Sequence, residues 1–252
     1  MSLINKDKKI AWITGGGTGI GKELAILLAK NGWLVIISGR RYKNLIDVTK
    51  YNKKQIKALK LDITHKHECK KVVNTIIKSF GEIDLVVLNA AAYSPGMIDF
   101  EKISQINQII NVNIMGQINC ISTILPLMKK RKRGHILIVS SPAGFRGLPN
   151  AGIYGVTKSA ITFLAESLVF ELSKFSIKIQ VLHPGFVDTP MTKKNKFPMP
   201  FIISSQEAAK RIVHGMGKDD FEISFPKRLI IPMKLLKLLP NKIYFFLLNK
   251  II

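Results

Sequence analysis

Tyr154 and Lys158 stand four positions apart. Over that interval an α-helix advances about 6 Å and returns to nearly the same face, so both heads can meet at one ligand. An ammonium beside a phenol favours the phenolate, drawing the phenol pKa down from about 10 toward the range where it gives or takes a proton near neutrality. Ser140 and Ser141 end an apolar run, and Tyr154 follows Ser141 by 13 positions. Far upstream, Thr14-Gly15-Gly16-Gly17-Thr18-Gly19-Ile20-Gly21 links another apolar run to the helix-forming Lys22-Glu23-Leu24-Ala25. Glycines there let the main chain turn tightly and approach a pyrophosphate, while a helix amino terminus offers unpaired N–H groups and a partial positive charge. Each feature alone is ordinary, since a strand-end serine is commonly a turn residue. Their order along one chain gives them weight.

Such groups need a scaffold, and the hydrophobic pattern supplies one. Val/Ile-rich runs of strand length fall at residues 9–14, 33–38, 56–61, 84–89, 135–140, 177–183 and 221–225. Between them, residues 21–31, 65–80, 101–130 and 154–175 carry apolar side chains at three- and four-residue spacings, as sheet-covering helices do. The alternation predicts an α/β chain: a doubly wound parallel sheet of about seven strands with helices on both faces, in a single domain over residues 1–225. No linker or internal repeat interrupts it. Residues 186–205 hold three prolines and no clear period, which predicts a lid-type loop beside a site.

The glycine run reads G-x-x-x-G-x-G rather than G-x-G-x-x-G, and in this it resembles the cofactor loop of the short-chain dehydrogenase/reductase family. The resemblance extends over residues 9 to about 225 and implies a Rossmann-type sheet, a nicotinamide cofactor and oxidoreductase chemistry on a carbonyl or alcohol. It assigns Gly15, Gly17, Thr18, Gly19, Ile20 and Gly21 to the cofactor loop, and Asp62 and Ile63 to the adenine ring. Asn89, Ala90 and Ala91 would lie along the cofactor, with Ala91 standing where the family commonly has glycine. Pro184, Gly185, Val187 and Thr189 match the segment that meets the carboxamide and phosphate side. Tyr154 would exchange a proton with the substrate oxygen, Ser141 would hold that oxygen, and Lys158 would bias Tyr154 and grip the nicotinamide ribose. Asn113, with Asn111 as the alternative, would anchor a water linking Lys158 to solvent. His183 is read as a strand-end residue, and no metal site is read.

At the end of the second apolar run, where a carboxylate would accept from a ribose 2′-hydroxyl, the chain has Ser38-Gly39-Arg40-Arg41. Guanidinium presents planar donors that match phosphate oxygens, so Arg40, helped by Arg41, points to NADP over NAD. Thr18 occupies the place where some NADP-dependent relatives carry a basic residue.

The 252 residues hold 39 Lys and Arg against 16 Asp and Glu, a net charge of +23. Lysines scattered through every segment beside many Asn and Ile read as codon bias rather than as a nucleic-acid footprint. Two cysteines, and no apolar run behind the charges of the amino terminus, read as a cytoplasmic address. Residues 226–252 contain six Lys or Arg, no acid, and are otherwise strongly apolar. They read as two helical pieces interrupted by Pro232 and Pro240, packed on the same domain, at a subunit interface or on a membrane surface. The family resemblance implies a homodimer or homotetramer, and the apolar tail and lid suit an apolar substrate. A second hypothesis is a non-catalytic NADP sensor, which would have no need of the Ser141, Tyr154 and Lys158 set.

Overall fold

The apolar runs become one parallel sheet because each is flanked by segments able to cover it. The computed structural model describes residues 8–250. Residues 1–7, most of the amino terminus read above, and the final pair of the tail lie outside the described residues. In chain order the strands are β1 (Ile10–Thr14), β2 (Leu34–Gly39), β3 (Ile56–Lys60), β4 (Leu85–Leu88), β5 (Gly134–Val139), β6 (Ile177–Pro184), the two-residue β7 (Val187–Asp188) and β8 (Ile203–Ser204), and β9 (Glu222–Phe225). The helices are α1 (Gly19–Lys30), α2 (Tyr42–Thr49), α3 (Lys66–Ser79), α4 (Ile103–Ile110), α5 (Gly116–Arg131), α6 (Gly152–Leu172), α7 (Ser205–Met216), α8 (Lys227–Leu238) and α9 (Asn241–Asn249).

The main sheet runs β3-β2-β1-β4-β5-β6-β9, every pair parallel. The chain builds outward from β1 to β3, then crosses back to place β4 on the other side of β1. That reversal opens a crevice at the carboxyl ends of β1 and β4, where open α/β sheets bind ligands. Strand side chains alternate between faces. Trp12, Ile36, Val86 and Ile138 pack under α3, α5 and α6, while Ile13, Ile37, Val87 and Leu137 pack against α1 and α7. Trp12 is fully buried and its indole N–H donates to Ser38 Oγ at 3.0 Å, so its polar atom is satisfied inside the core.

Every expected strand boundary falls within one residue of the observed one. The helices depart further. The single helix expected over 101–130 is α4 and α5 joined by a π-helical turn, Asn111–Met115. Residues 186–205 are closed at the neck, because β7 and β8 pair in parallel at Val187–Ile203 and Asp188–Ser204. In the tail only Pro240 separates two helices. Pro232 sits inside α8 instead of interrupting it, close enough to the start that the carbonyl it leaves unpaired belongs to the exposed Arg228.

Candidate active site

Two glycines shape the turn after β1. Gly15 and Gly19 have φ of +68° and +54°, conformations that side chains rarely adopt, and a Cβ on Gly19 would sit 2.9 Å from Thr189 Cγ2. Ser38 O accepts from Gly15 N (2.7 Å) and Gly16 N (3.3 Å), tying the turn to β2. Thr14 and Asn89 stitch it to β4. The Thr14 hydroxyl donates to Val87 O and accepts from the amides of Asn89 and Ala90, and the Asn89 side-chain amide donates to Thr14 O and Gly15 O at 3.0 and 3.1 Å. Thr18 caps α1 in extended backbone without lending its side chain, so the first-turn N–H groups have no intrahelical or capping acceptor.

This turn forms one end of a cavity of about 800 Å³ lined by Gly15, Gly17, Thr18, Gly19, Ile20, Arg40, Arg41, Asp62, Ile63, Asn89, Ala90 and Ala91, and farther along by Ser141, Tyr154, Lys158, Pro184, Gly185, Val187 and Thr189. Burial works against the Asp62 charge, yet hydrogen bonds from the Thr64 amide and hydroxyl and the nearby Arg40 guanidinium hold its carboxyl below the ordinary value.

Two expected site residues stay out of the wall. Gly21 lies beneath the loop, where a Cβ would come within 2.6 Å of Asn89 Nδ2 and Gly15 O, so glycine is needed there for close packing. Asn113 is fully buried in the π-turn. Its side chain accepts from Ala92 N at 2.7 Å and donates to Ala92 O and Thr157 Oγ1, each at 3.0 Å. Both N–H groups of that amide are thus engaged within the protein. The wide turn sits where the helix is fastened to the exit of β4 and to α6.

Tyr154 and Lys158 are one turn apart on α6. Lys158 is 1% exposed, donates from Nζ to Val139 O at 2.8 Å, and holds Nζ 5.5 Å from the Tyr154 ring centre. Burial pushes its pKa down to about 8. Burial also raises the Tyr154 phenol well above its usual value, against a hydrogen bond from Ser141, with Tyr93 adding to the rise. The expected lowering of the phenol by Lys158 is therefore not a property of the chain by itself: the ammonium is turned to Val139, and loss of hydration dominates. Ser141 Oγ accepts from Ala143 N at 3.2 Å, which fixes it at the head of a short 3-10 turn. Ser140 is held differently, by the Lys158 carbonyl and Thr162.

His183 lies behind the cavity wall, 2% exposed, its ring 4.7 Å from that of Phe145 and its Nε2 3.2 Å from Thr162 Oγ1. Burial lowers its pKa to about 4, with Glu222 pulling the other way.

The outer cavity holds residues that the sequence pattern did not single out. Tyr93 meets Tyr154 edge-on at 4.7 Å and donates to Asn195 Oδ1 at 2.7 Å, bridging the exit of β4 to the 186–205 segment. Thr192 braces Thr189 and donates to Val187 O at 2.6 Å. Leu229 and Met233 of α8 complete an apolar wall with Phe186 and Phe197. An aromatic in the loop that leaves β4, just after Asn89 to Ala92, was a readable signal. The partners from the lid and the tail were not, because they are placed by tertiary packing.

Over residues 9–198 the chain matches the short chain dehydrogenase family. An uncharacterized oxidoreductase of Myxococcus xanthus is 33% identical over 241 residues, 94% of each chain. Another from Staphylococcus epidermidis is 31% identical over 209 residues, 83% of this chain and 91% of its own. Among solved structures, ElxO with NADP bound is 29% identical, with a TM-score of 0.77 over 86% of this chain and 97% of its own. A Burkholderia phymatum short chain dehydrogenase/reductase in complex with NAD reaches a TM-score of 0.84 at 20% identity, covering 93% of this chain and 94% of its own, a likeness of fold.

Proposed function

The chain belongs to the short-chain dehydrogenase family, and from that premise we propose that it is an NADP-dependent oxidoreductase acting on a carbonyl or secondary alcohol. One observation carries the reading: a main-chain cradle at the start of α1 and the Ser141, Tyr154 and Lys158 side chains line the same cavity. The cradle suits a dinucleotide because Gly15 and Gly19 let the main chain turn tightly beside the cavity and the α1 amino terminus complements a pyrophosphate's charge. When bound, such a cofactor supplies or accepts a hydride.

The chain's own residues do the rest. Arg40 and Arg41 offer guanidinium donors where an adenosine 2′-phosphate would lie, and Asp62 and Ile63 border the adenine end. Ser141, fixed by Ala143 N, and Tyr154 present hydroxyls to one substrate oxygen, with Tyr154 Oη giving the proton in reduction and taking it in oxidation. A phenol raised by burial holds its proton firmly. The Lys158 ammonium, present below about pH 8, reduces the cost of the phenolate left behind. Asn113 positions α6 through Thr157. ElxO, carrying NADP in its structure, supports the same cofactor choice here.

We also read the exposed Ile103, Met115 and Leu127 of the α4–α5 helix, with Val156, Phe163 and Phe170 of α6, as faces covered in a homo-oligomer. Sedimentation equilibrium, in which a dimer has half the mass of a tetramer, separates the two assemblies and reads a monomer as the contradicting result. For the reaction itself, carbonyls and alcohols of graded chain length are screened by NADPH absorbance with Tyr154→Phe as control. Turnover that requires Tyr154 is expected; a variant that keeps wild-type turnover refutes the assigned proton donor.

A further inference from the structure

The two tail helices, α8 and α9, carry apolar side chains the proposed chemistry does not use. Their inner side is firmly held. Arg146 donates to the carbonyls of Leu236 and Leu239 and to Asn241 Oδ1, stacks 3.8 Å over the Tyr244 ring, and Tyr244 Oη donates to Gly147 O at 2.6 Å. The outer side is unlike a solvated surface. Ile231, Leu235 and Leu238 recur at helical spacing on α8, joined by Ile243, Phe245 and Phe246 of α9, each between 49% and 79% exposed. Among the described residues, Lys227, Arg228, Lys237, Lys242 and Lys250 of the same segment form no ion pair, and no acid occurs between residues 226 and 252.

We propose that these two helices dock the protein on an anionic lipid surface, with the apolar side chains entering the acyl boundary and the lysines at headgroup level. Charge complementarity selects this occupant. A second copy seated symmetrically on the same face would bring like charges together, whereas anionic headgroups neutralise them. Leu229 and Met233, on the cavity side of α8, line the outer cavity. One helix thus borders both the lipid and the site, which assigns an apolar carbonyl or alcohol dissolved in the bilayer as the substrate class. That assignment rests on the oxidoreductase reading; the docking does not.

Flotation of the whole protein with phosphatidylcholine vesicles, with and without phosphatidylglycerol, tests it. Binding is expected to the anionic vesicles, with Leu235→Glu and Phe246→Glu each reducing it about tenfold at unchanged Tm and NADPH affinity, and Lys237→Gln with Lys242→Gln reducing it several-fold. Turnover of a long-chain aldehyde presented in those vesicles should fall with Leu235→Glu, while turnover of a short water-soluble aldehyde does not. Absence of flotation overturns the docking, as does flotation that the glutamate variants leave intact, which would trace it to overall charge. Glutamate variants that split an oligomer without changing flotation overturn it too. Flotation as expected with no carbonyl turnover leaves the docking standing and removes the oxidoreductase reading.

Discussion

Lys158 loses its proton near pH 8 because its ammonium is buried beneath Val139 rather than hydrated. Raising the pH through that value removes the positive charge next to Tyr154. The rate of carbonyl reduction is therefore predicted to decline on the alkaline side with an apparent pKa near 8, and Lys158→Arg, whose charge persists, should lack that limb at a lower plateau; pH profiles of kcat/KM check both. At the other end of the cavity, Arg40→Ala is expected to lower the ratio of kcat/KM for NADPH over NADH about tenfold or more, since a charge-assisted contact to phosphate is lost while NADH loses nothing. The pair on α6 and the glycine run were legible in the sequence because their geometry is local: one helical turn, one strand-to-helix turn. The side-chain partners of Asn113 and the packing beneath Gly21 were not, because burial against Ala92 and Asn89 is decided by segments far away in the chain. Tyr93 and Asn195 meet across 102 positions, a separation that leaves no periodic trace.

Elements supply what single residues cannot, and the tail shows how. Arg146 is the clasp between the loop after Ser141 and the junction of α8 with α9. Arg146→Ala is predicted to lower stability by about 2 kcal/mol, the usual loss when hydrogen bonds from a charged donor disappear, and to speed proteolysis within residues 226–250; urea unfolding and limited digestion measure the two effects. The lid is fastened by the Tyr93–Asn195 bond, so Tyr93→Phe should keep the edge contact with Tyr154 yet raise KM for long substrates several-fold more than it changes kcat. The seven strands of the main sheet were readable to within one residue because buried parallel strands are continuous apolar runs, whereas the two-residue β7 and β8 were not. Helix α2 was not, since its eight residues offer only Leu45 and Val48 to the core. Pro232 misled because proline breaks a helix interior but is tolerated near an exposed first turn.

At the scale of the whole molecule, the buried His183 and the half-buried His135 couple the fold to pH. Burial lowers His135 and His183 to about 4, below the ordinary 6.5 of the unfolded chain. Both are neutral in the fold, so the stability they contribute is complete above about pH 6.5 and is lost as the pH falls toward 4, at about 1.4 kcal/mol per unit for each. Urea midpoints should drop from about pH 7 to 5, and the His135→Gln, His183→Gln double variant should flatten that drop. The seven-stranded sheet then has one task in this account: to hold the cradle of β1 and α1 at a fixed distance from the hydroxyls of Ser141 and Tyr154. A crystal structure of the NADPH complex measures that directly. The nicotinamide ring is predicted to lie with its reactive carbon facing the space between those hydroxyls, about 3 to 4 Å from where a substrate carbon would sit. A ring placed elsewhere, or a pyrophosphate away from Gly15 to Ile20, would contradict it.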